Sequence, residues 1–261
     1  MKKILIIGAG GFIGSYLTKT LSTKHYVIPL HKGVINLLDN NSVATFLEAN
    51  EFDFVINCLT YGGKENLHNK NADDVGKNIS MFYNFYSNKH LFKKYINIGS
   101  GIEKYNDENG YSFSKRIISN IGLTNLNFVT LNLYGCFGSH EPDIRLLKRY
   151  NNSVGKFELE NDRLFDYISI QDFSKIVECV IDFPDIIFDT GHSIDCVYHH
   201  KLKLSEFLDL YCDINNLKKR FEIKSSSENK YVGSYKTLEY IQNTYNLRLY
   251  GLAHGLKVYN D

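Results

Sequence analysis

An α/β fold, with a parallel sheet covered on both faces by helices, is predicted by three observations. An apolar run, Lys3-Ile4-Leu5-Ile6-Ile7, feeds directly into Gly8-x-x-Gly11-x-x-Gly14. Short apolar runs then alternate with helical patterns as far as residue 131, the rhythm of a sheet buried between helical layers. Finally, the polar clusters of interest fall at or just after predicted strand ends, the edge where such sheets bind ligands.

Taken in order, Lys3–Ile7 reads as strand one. Gly8 and Gly11 let the chain turn and approach a ligand without a Cβ in the way, and Gly14 lets the next helix pack close to the strand. That helix carries Phe12, Tyr16, Leu17, Thr20 and Leu21 on its inner face. Tyr26–Leu30 reads as strand two, Ser42–Ala49 as a helix and Asp53–Leu59 as strand three. Ala72–Asn88 is helical, with Val75, Ile79, Phe82 and Tyr86 on one face. Tyr95–Ile98 is strand four, ending at Gly99-Ser100-Gly101; Tyr111–Ile121 is a helix and Asn127–Leu131 is strand five.

Beyond Leu131 the rhythm loosens. Gly135–Leu164 is a loop-rich insertion with one helical stretch at Ile144–Tyr150. Asp166–Ile170 reads as a strand, Asp172–Ile181 as a helix, Ile186–Asp189 as a last sheet strand and 191–261 as mixed short elements, with Lys224–Lys230 a surface loop. The expected division is a core of residues 1–131, to which 166–190 returns, and a small lobe of 132–165 and 191–261.

Composition bounds the function. The chain has 261 residues, 43% of them hydrophobic, enough for one large domain or a domain with a small lobe. A net charge of +1 gives no electrostatic reason to invoke nucleic acid or an anionic membrane. The five cysteines are odd in number and none forms Cys-x-x-Cys, as expected of reduced thiols in a cytoplasmic protein without a disulfide framework. The apolar run after Met1-Lys2-Lys3 is too short for a signal peptide, and no stretch is long enough to span a bilayer. The nine histidines show no ligand spacing, so no metal site is expected; His199-His200 reads as a solvated turn.

Two constellations carry chemistry. At the first helix, free N–H groups and a partial positive charge suit a pyrophosphate. Gly8, Gly11, Phe12, Ile13 and Gly14 are therefore candidate dinucleotide ligands. The plain alternative, a glycine turn that binds nothing, is disfavoured by the strand before it and the amphipathic helix after it. The second constellation is Tyr111-x-x-x-Lys115, whose spacing puts both side chains on one helix face. A phenol titrates near pH ~10, and a neighbouring ammonium lowers that value. A proton donor tuned in this way suits carbonyl–alcohol interconversion. Ser100, at the end of strand four, is placed to hydrogen-bond the same oxygen. An ordinary surface Tyr and Lys would share the spacing, but their position after strand four favours catalysis.

With these residues in hand, the sequence resembles the extended short-chain dehydrogenase/reductases, the NAD-dependent epimerase/dehydratase group that acts on nucleotide sugars. The resemblance rests on Gly8, Gly11 and Gly14, on Ser100, on Tyr111 and Lys115, on Asn132-Leu133-Tyr134-Gly135, on Phe165–Asp172 and on Tyr250–Leu256. It implies a Rossmann-type doubly wound sheet with a small C-terminal substrate-binding lobe. It also implies that Lys115 holds the nicotinamide ribose, that Ser100, with Gly101 beside it, positions the substrate carbonyl, and that Asn132 contacts the nucleotide-sugar phosphates. Members of the group often form homodimers through the helix that carries Tyr111 and the helix before it. One departure is that Ser100 and Tyr111 lie closer in sequence than is usual there, which shortens a segment that borders the sugar.

Strand two ends in Leu30-His31-Lys32, where NAD enzymes place a carboxylate for the ribose hydroxyls. His31 and Lys32 offer donors and positive charge to a 2′-phosphate, so NADP(H) is favoured over NAD(H). Asn36 and Leu37 fall on the adenine side, and Cys58, Leu59 and Thr60 line the cofactor after strand three, although Cys58 serves equally well as a packing residue. Gly101 and Ile102 follow Ser100, so neither the Asp-Glu pair of the group's dehydratases nor the cysteine of its ring-carbon epimerases is present. Cys136 and His140 could form a displaced acid–base pair, but a loop role is the simpler reading. Arg163 is a candidate for the nucleotide phosphates, with Asp162 and Asp166 structural. The expectation is an NADPH-dependent reductase of a nucleotide-linked 4-keto-6-deoxy sugar. A 4-epimerase with retained NAD is the main alternative, and a non-catalytic dinucleotide sensor is a weaker one.

Overall fold

The computed structural model describes residues 1–61, 72–105 and 110–259. In chain order the elements begin β1 (Lys3–Ile7), α1 (Phe12–Leu21), β2 (Tyr26–Leu30), α2 (Asn40–Glu48), β3 (Phe52–Asn57), α3 (Ala72–Ser87), β4 (Phe92–Ser100), α4 (Gly110–Leu123) and β5 (Phe128–Leu133). They continue with β6 (Cys136–Phe137), α5 (Leu146–Asn152), β7 (Phe157–Leu159), β8 (Leu164–Phe165), β9 (Ile168–Ser169), α6 (Ile170–Asp182) and α7 (Ile186–Asp189). The last are β10 (Ser193–Cys196), β11 (Leu202–Lys203), α8 (Leu204–Ile214), β12 (Phe221–Ile223), α9 (Lys236–Thr244) and α10 (Leu252–Lys257).

Contacts within the chain group Met1–Asn132 with Val180–Ile194 as one unit, and Leu133–Cys179 with Asp195–Asp261 as a second. The first holds a six-stranded sheet in the order β10-β5-β4-β3-β1-β2. Strand β1 pairs in parallel with β2 and β3, and β3 pairs in parallel with β4. Ile4 to Ile7 are completely buried because helices cover both faces. Pro29, which cannot donate to a ladder, sits in β2 at the sheet edge, where a missing N–H is tolerated. Under α3 and α4 lies an aromatic core of Phe82, Phe85, Phe92, Tyr95 and Phe128. Strand order reverses between β1 and β3, so the loops leaving these two strands flank the switch point of the sheet.

The second unit has its own core, built from Phe137, Leu147, Tyr150, Phe207 and Tyr211 among others. Its short strands pair as β6 with β9, β7 with β12 and β8 with β11. Its loops are tied down by buried carboxylates. Asp172 accepts from the Tyr198 hydroxyl at 2.6 Å and from the backbone N–H of Tyr250 and Gly251 at 2.6 and 2.9 Å. Asp162 accepts from the Ser205 N–H and hydroxyl at the start of α8, both at 2.9 Å.

Three expectations change. Ile186–Asp189 is not the last sheet strand but one helical turn, closed by bonds such as Phe188 N–H to Asp185 C=O; β10 takes the sheet edge instead. Asp166–Ile170 is not one strand. The Asp166 carboxylate accepts from Lys201 and from the Gly233 N–H, both at 2.7 Å, which leaves the two-residue strands β8 and β9 on either side, and α6 starts at Ile170. The segment returning to the first unit starts at Val180 rather than at residue 166, because residues such as Asp166 and Asp172 spend their hydrogen bonds inside the second unit. Among the described residues, no helix is long and apolar enough to cross a membrane.

Candidate active site

The glycine turn is built by close approach. Gly8 has a φ of +78°, and a Cβ there would stand 2.9 Å from the Leu59 nitrogen. A Cβ on Gly14 would stand 2.2 Å from the Gly8 carbonyl oxygen. The loop after β1, the start of α1 and the loop after β3 therefore touch backbone to backbone, which brings Gly8, Gly14, Cys58 and Leu59 together at the switch point. Gly11 is the N-cap of α1, and no side chain caps it and no acidic residue lies in the first turn. The N–H groups that helix geometry leaves over at Phe12 and Ile13 thus face no carboxylate of their own helix. This cradle, which a Cβ would fill, fits a dinucleotide pyrophosphate.

Around it, His31 and Lys32 are exposed at the end of β2. The His31 ring lies beside the glycine turn, its Nδ1 3.7 Å from where a Cβ on Gly10 would stand. Asn36 turns the chain: its side-chain oxygen accepts from the Leu38 N–H at 3.1 Å, while Leu37 packs on the core. Burial pushes the Cys58 thiol up to about 12, with the Lys115 charge opposing it, so Cys58 lines the loop as a neutral thiol. Past Thr60, the buried Asn78 of α3 fixes the chain by accepting from the Tyr61 N–H at 2.8 Å and donating to its C=O at 3.1 Å.

Tyr111 and Lys115 share one face of α4. The buried Lys115 ammonium donates to the Ile98 carbonyl at 2.7 Å and lies 5.9 Å from the centre of the Tyr111 ring. Ser100 closes β4 and opens a 3₁₀ turn at Gly101–Lys104, its hydroxyl accepting from the Ile102 N–H at 3.5 Å. Strand end and helix face thus bring Ser100 and Lys115 to the same end of the sheet, at residues 98–100.

Asn132 lies near the end of β5. It is 2% exposed, its amide donates to the Ser193 hydroxyl at 3.0 Å, and its oxygen occupies the space a Cβ on Gly99 would need. In the second unit, the Arg163 guanidinium stacks over the rings of Phe165 and Tyr231, at 5.6 and 6.0 Å. Cys136 is buried, and desolvation drives its thiol upward, whereas His140 is exposed. A buried neutral thiol and a solvated imidazole do not make an acid–base pair. Among the described residues, no cluster of His, Cys, Asp or Glu could hold a metal ion.

Sequence reasoning missed Glu103. Its carboxylate accepts from the Ser100 N–H at 2.8 Å and from the Ser119 hydroxyl of α4. The spacing Ser100-x-x-Glu103 is that of a capping box, the signal that could have found it.

The sequence profile of the NAD dependent epimerase/dehydratase family matches residues 4–191. Among solved structures, a dTDP-4-dehydrorhamnose reductase from Clostridium acetobutylicum superposes with a TM-score of 0.78 at 16% identity, with 98% of each chain covered. RMD from Pseudomonas aeruginosa, complexed with NADPH, superposes at 0.77 and 16% identity, covering 100% of this chain and 98% of that one. A GDP-mannoheptose C4 reductase from Campylobacter jejuni, with NADP bound, gives 0.72 and 16% identity over 98% of this chain and 96% of the other. At these identities the likeness establishes the Rossmann-type fold, and the profile match over most of the sequence establishes kinship. The chain belongs to the NAD-dependent epimerase/dehydratase family, enzymes of the extended short-chain dehydrogenase/reductase type.

Proposed function

We propose that the protein is an NADPH-dependent reductase of a nucleotide-linked 4-keto-6-deoxy sugar. The observation that carries this reading is the set Ser100, Tyr111 and Lys115 with Gly101 and Ile102 directly after Ser100, where the group's dehydratases carry an Asp-Glu pair and its ring-carbon epimerases a cysteine. Tyr111 can deliver a proton to a carbonyl oxygen, while the Glu103 carboxylate is engaged by the Ser100 N–H and the Ser119 hydroxyl. The exposed pair His31 and Lys32 beside the glycine turn supports a cofactor with a 2′-phosphate. The NADPH bound in RMD and the NADP bound in the GDP-mannoheptose C4 reductase support the same choice.

When bound, the reduced nicotinamide supplies the hydride that converts ketone to alkoxide. The chain's own residues do the rest. Ser100 donates a hydrogen bond to the ketone oxygen and orients it, and Tyr111 transfers its phenolic proton to that oxygen as negative charge develops there. Lys115, fixed on the Ile98 carbonyl, favours the phenolate that remains and holds the ribose of the cofactor. Gly8, Gly11 and the start of α1 hold the pyrophosphate. Arg163 is our candidate for the diphosphate of the sugar nucleotide, its guanidinium braced on two rings. Asn132, buried under the Gly99 turn, supports the strand end and is not assigned a substrate contact.

The test is the loss of NADPH absorbance with freshly made 4-keto-6-deoxy sugars carried on different nucleoside diphosphates. Turnover with at least one, and tighter binding of NADPH than NADH, is expected. Interconversion of two nucleotide hexoses with no added cofactor would replace the reductase by a 4-epimerase.

A further inference from the structure

We propose that Glu103 is a positioning residue whose carboxylate ties the strand end carrying Ser100 to the helix face that presents Tyr111 and Lys115. The inference rests on the catalytic reading of those three residues. Tyr111, Lys115 and Ser119 follow one another at four-residue steps on α4 and so share a face. Two of the three reach back to the end of β4. Lys115 donates to the Ile98 carbonyl at 2.7 Å. Ser119 donates to one oxygen of Glu103, whose other oxygen accepts from the Ser100 N–H at 2.8 Å. Two ties, one helical turn apart on α4 and two residues apart on β4, fix both the rotation of the helix about its axis and its slide along the strand.

A local turn cap would need only the bond to the Ser100 N–H. The second oxygen instead goes to a residue sixteen positions away on another element, which local capping does not require. The strand is shaped to admit the carboxylate, since a Cβ on Gly99 would stand 2.8 Å from the Glu103 oxygen, 2.6 Å from the Asn132 oxygen and 2.4 Å from the Thr130 methyl. Any larger residue at 99 would push the carboxylate away. Burial raises the Glu103 carboxyl above its ordinary value, opposed by the Ser119 hydroxyl, the Ser100 N–H and the charge of Lys115.

Misplacing a catalytic group by about 1 Å costs on the order of 100-fold. Glu103→Ala is therefore expected to lower kcat by roughly ten- to a hundredfold with KM nearly constant. Glu103→Gln, which can still accept from Ser100 and donate to Ser119, recovers most of that loss. Ser119→Ala cuts only the helix tie and falls between the two. A second readout needs no sugar: the carbon NMR spectrum of tyrosine-labelled, NADPH-loaded protein, with the Tyr111 signal assigned through Tyr111→Phe. In Glu103→Ala and Ser119→Ala the Tyr111 signal should move or broaden as the helix face loses its register with the strand end, while the signals of tyrosines in the second unit hold.

If both variants are merely less stable, with kcat per folded molecule and the Tyr111 signal unchanged, Glu103 is only a turn cap and the proposal is overturned. Should Glu103→Ala fail to fold, Ser119→Ala decides by the same two measurements. Because the spectrum is read without substrate, a wrong sugar assignment leaves this test standing. A native enzyme that reduces ketosugars while Tyr111 ignores both variants defeats the tie alone.

Discussion

The two units put polar groups to different uses. In the second, carboxylates are saturated: Asp172 is completely buried with three donors on it, and Asp162 and Asp166 each hold two. Such groups close loops, and removing one strands the donors it served. In the first, the groups of the candidate site gather at a strand end and on one face of α4. The Ser100 hydroxyl accepts from the Ile102 N–H at 3.5 Å, and Tyr111 is half-buried beside an ammonium anchored on a backbone carbonyl. A saturated carboxylate stabilises a structure, whereas a half-buried phenol beside an ammonium is placed for chemistry. The contrast separates residues whose loss should be read in unfolding from those whose loss should be read in turnover.

The sharpest division comes from Tyr111→Phe. Removing the proton donor should lower kcat by about 10²- to 10⁴-fold, while the unfolding free energy from urea titration stays within about 0.5 kcal/mol of the native protein and NADPH still binds. Next in size, Asp172→Ala should destabilise by about 4 kcal/mol, since the Tyr250 and Gly251 N–H groups and the Tyr198 hydroxyl all lose their acceptor. Cofactor affinity per folded molecule should be unchanged in that variant. If Tyr111→Phe proves as destabilising as Asp172→Ala, the division between the units is false.

The same division explains what could be read from sequence. The β1–glycine–α1 unit is legible because its signals are contiguous: an apolar strand, three glycines whose spacing matches the contacts at Gly8 and Gly14, and an amphipathic helix. Tyr111 and Lys115 are legible because helix geometry fixes a four-residue spacing. Ile186–Asp189 misleads because a four-residue apolar run has no period of its own; bonds such as Phe188 N–H to Asp185 C=O wind it into a turn. Most of the second unit is illegible for a different reason. Its ties join residues far apart, 118 positions for Glu141 and Tyr259 and 79 for Asp172 and Gly251, so no local pattern announces them. Glu103 lies between the two cases: its bond to Ser100 is local, its bond to Ser119 is not.

Saturation has a pH signature in the second unit. Burial raises Glu141 to about 7, more than the Tyr259 hydroxyl, which donates to it at 2.7 Å, and the charge of Arg145 bring it down. An unfolded glutamate titrates near ~4.3, so between these values the native state binds more protons than the unfolded one. The stabilisation is complete below pH ~4.3 and is lost as pH rises through about 7. Unfolding free energy should therefore fall between pH 5 and 8 relative to Glu141→Gln, which has no proton to lose there, by at most about 3 kcal/mol. Parallel pH curves for the two proteins would mean that Glu141 is ionised throughout and held by its partners.

The smallest effect is expected at Cys58, where the first unit uses backbone rather than side chain. The Cys58 N–H donates to the Ile7 carbonyl at 3.0 Å. The Cys58 carbonyl carbon lies 3.0 Å from where a Cβ on Gly8 would stand, so the peptide itself forms the wall of the glycine turn. Its thiol, raised to about 12 by burial against the opposing charge of Lys115, carries no charge at neutral pH and offers a cofactor only a weak contact. Cys58→Ala preserves every backbone atom of that wall and should leave NADPH affinity within about twofold, or ~0.4 kcal/mol. Gly8→Ala, by contrast, must strain a φ of +78° and displace the Leu59 peptide. A loss of tenfold or more in Cys58→Ala would place the sulfur itself against the cofactor.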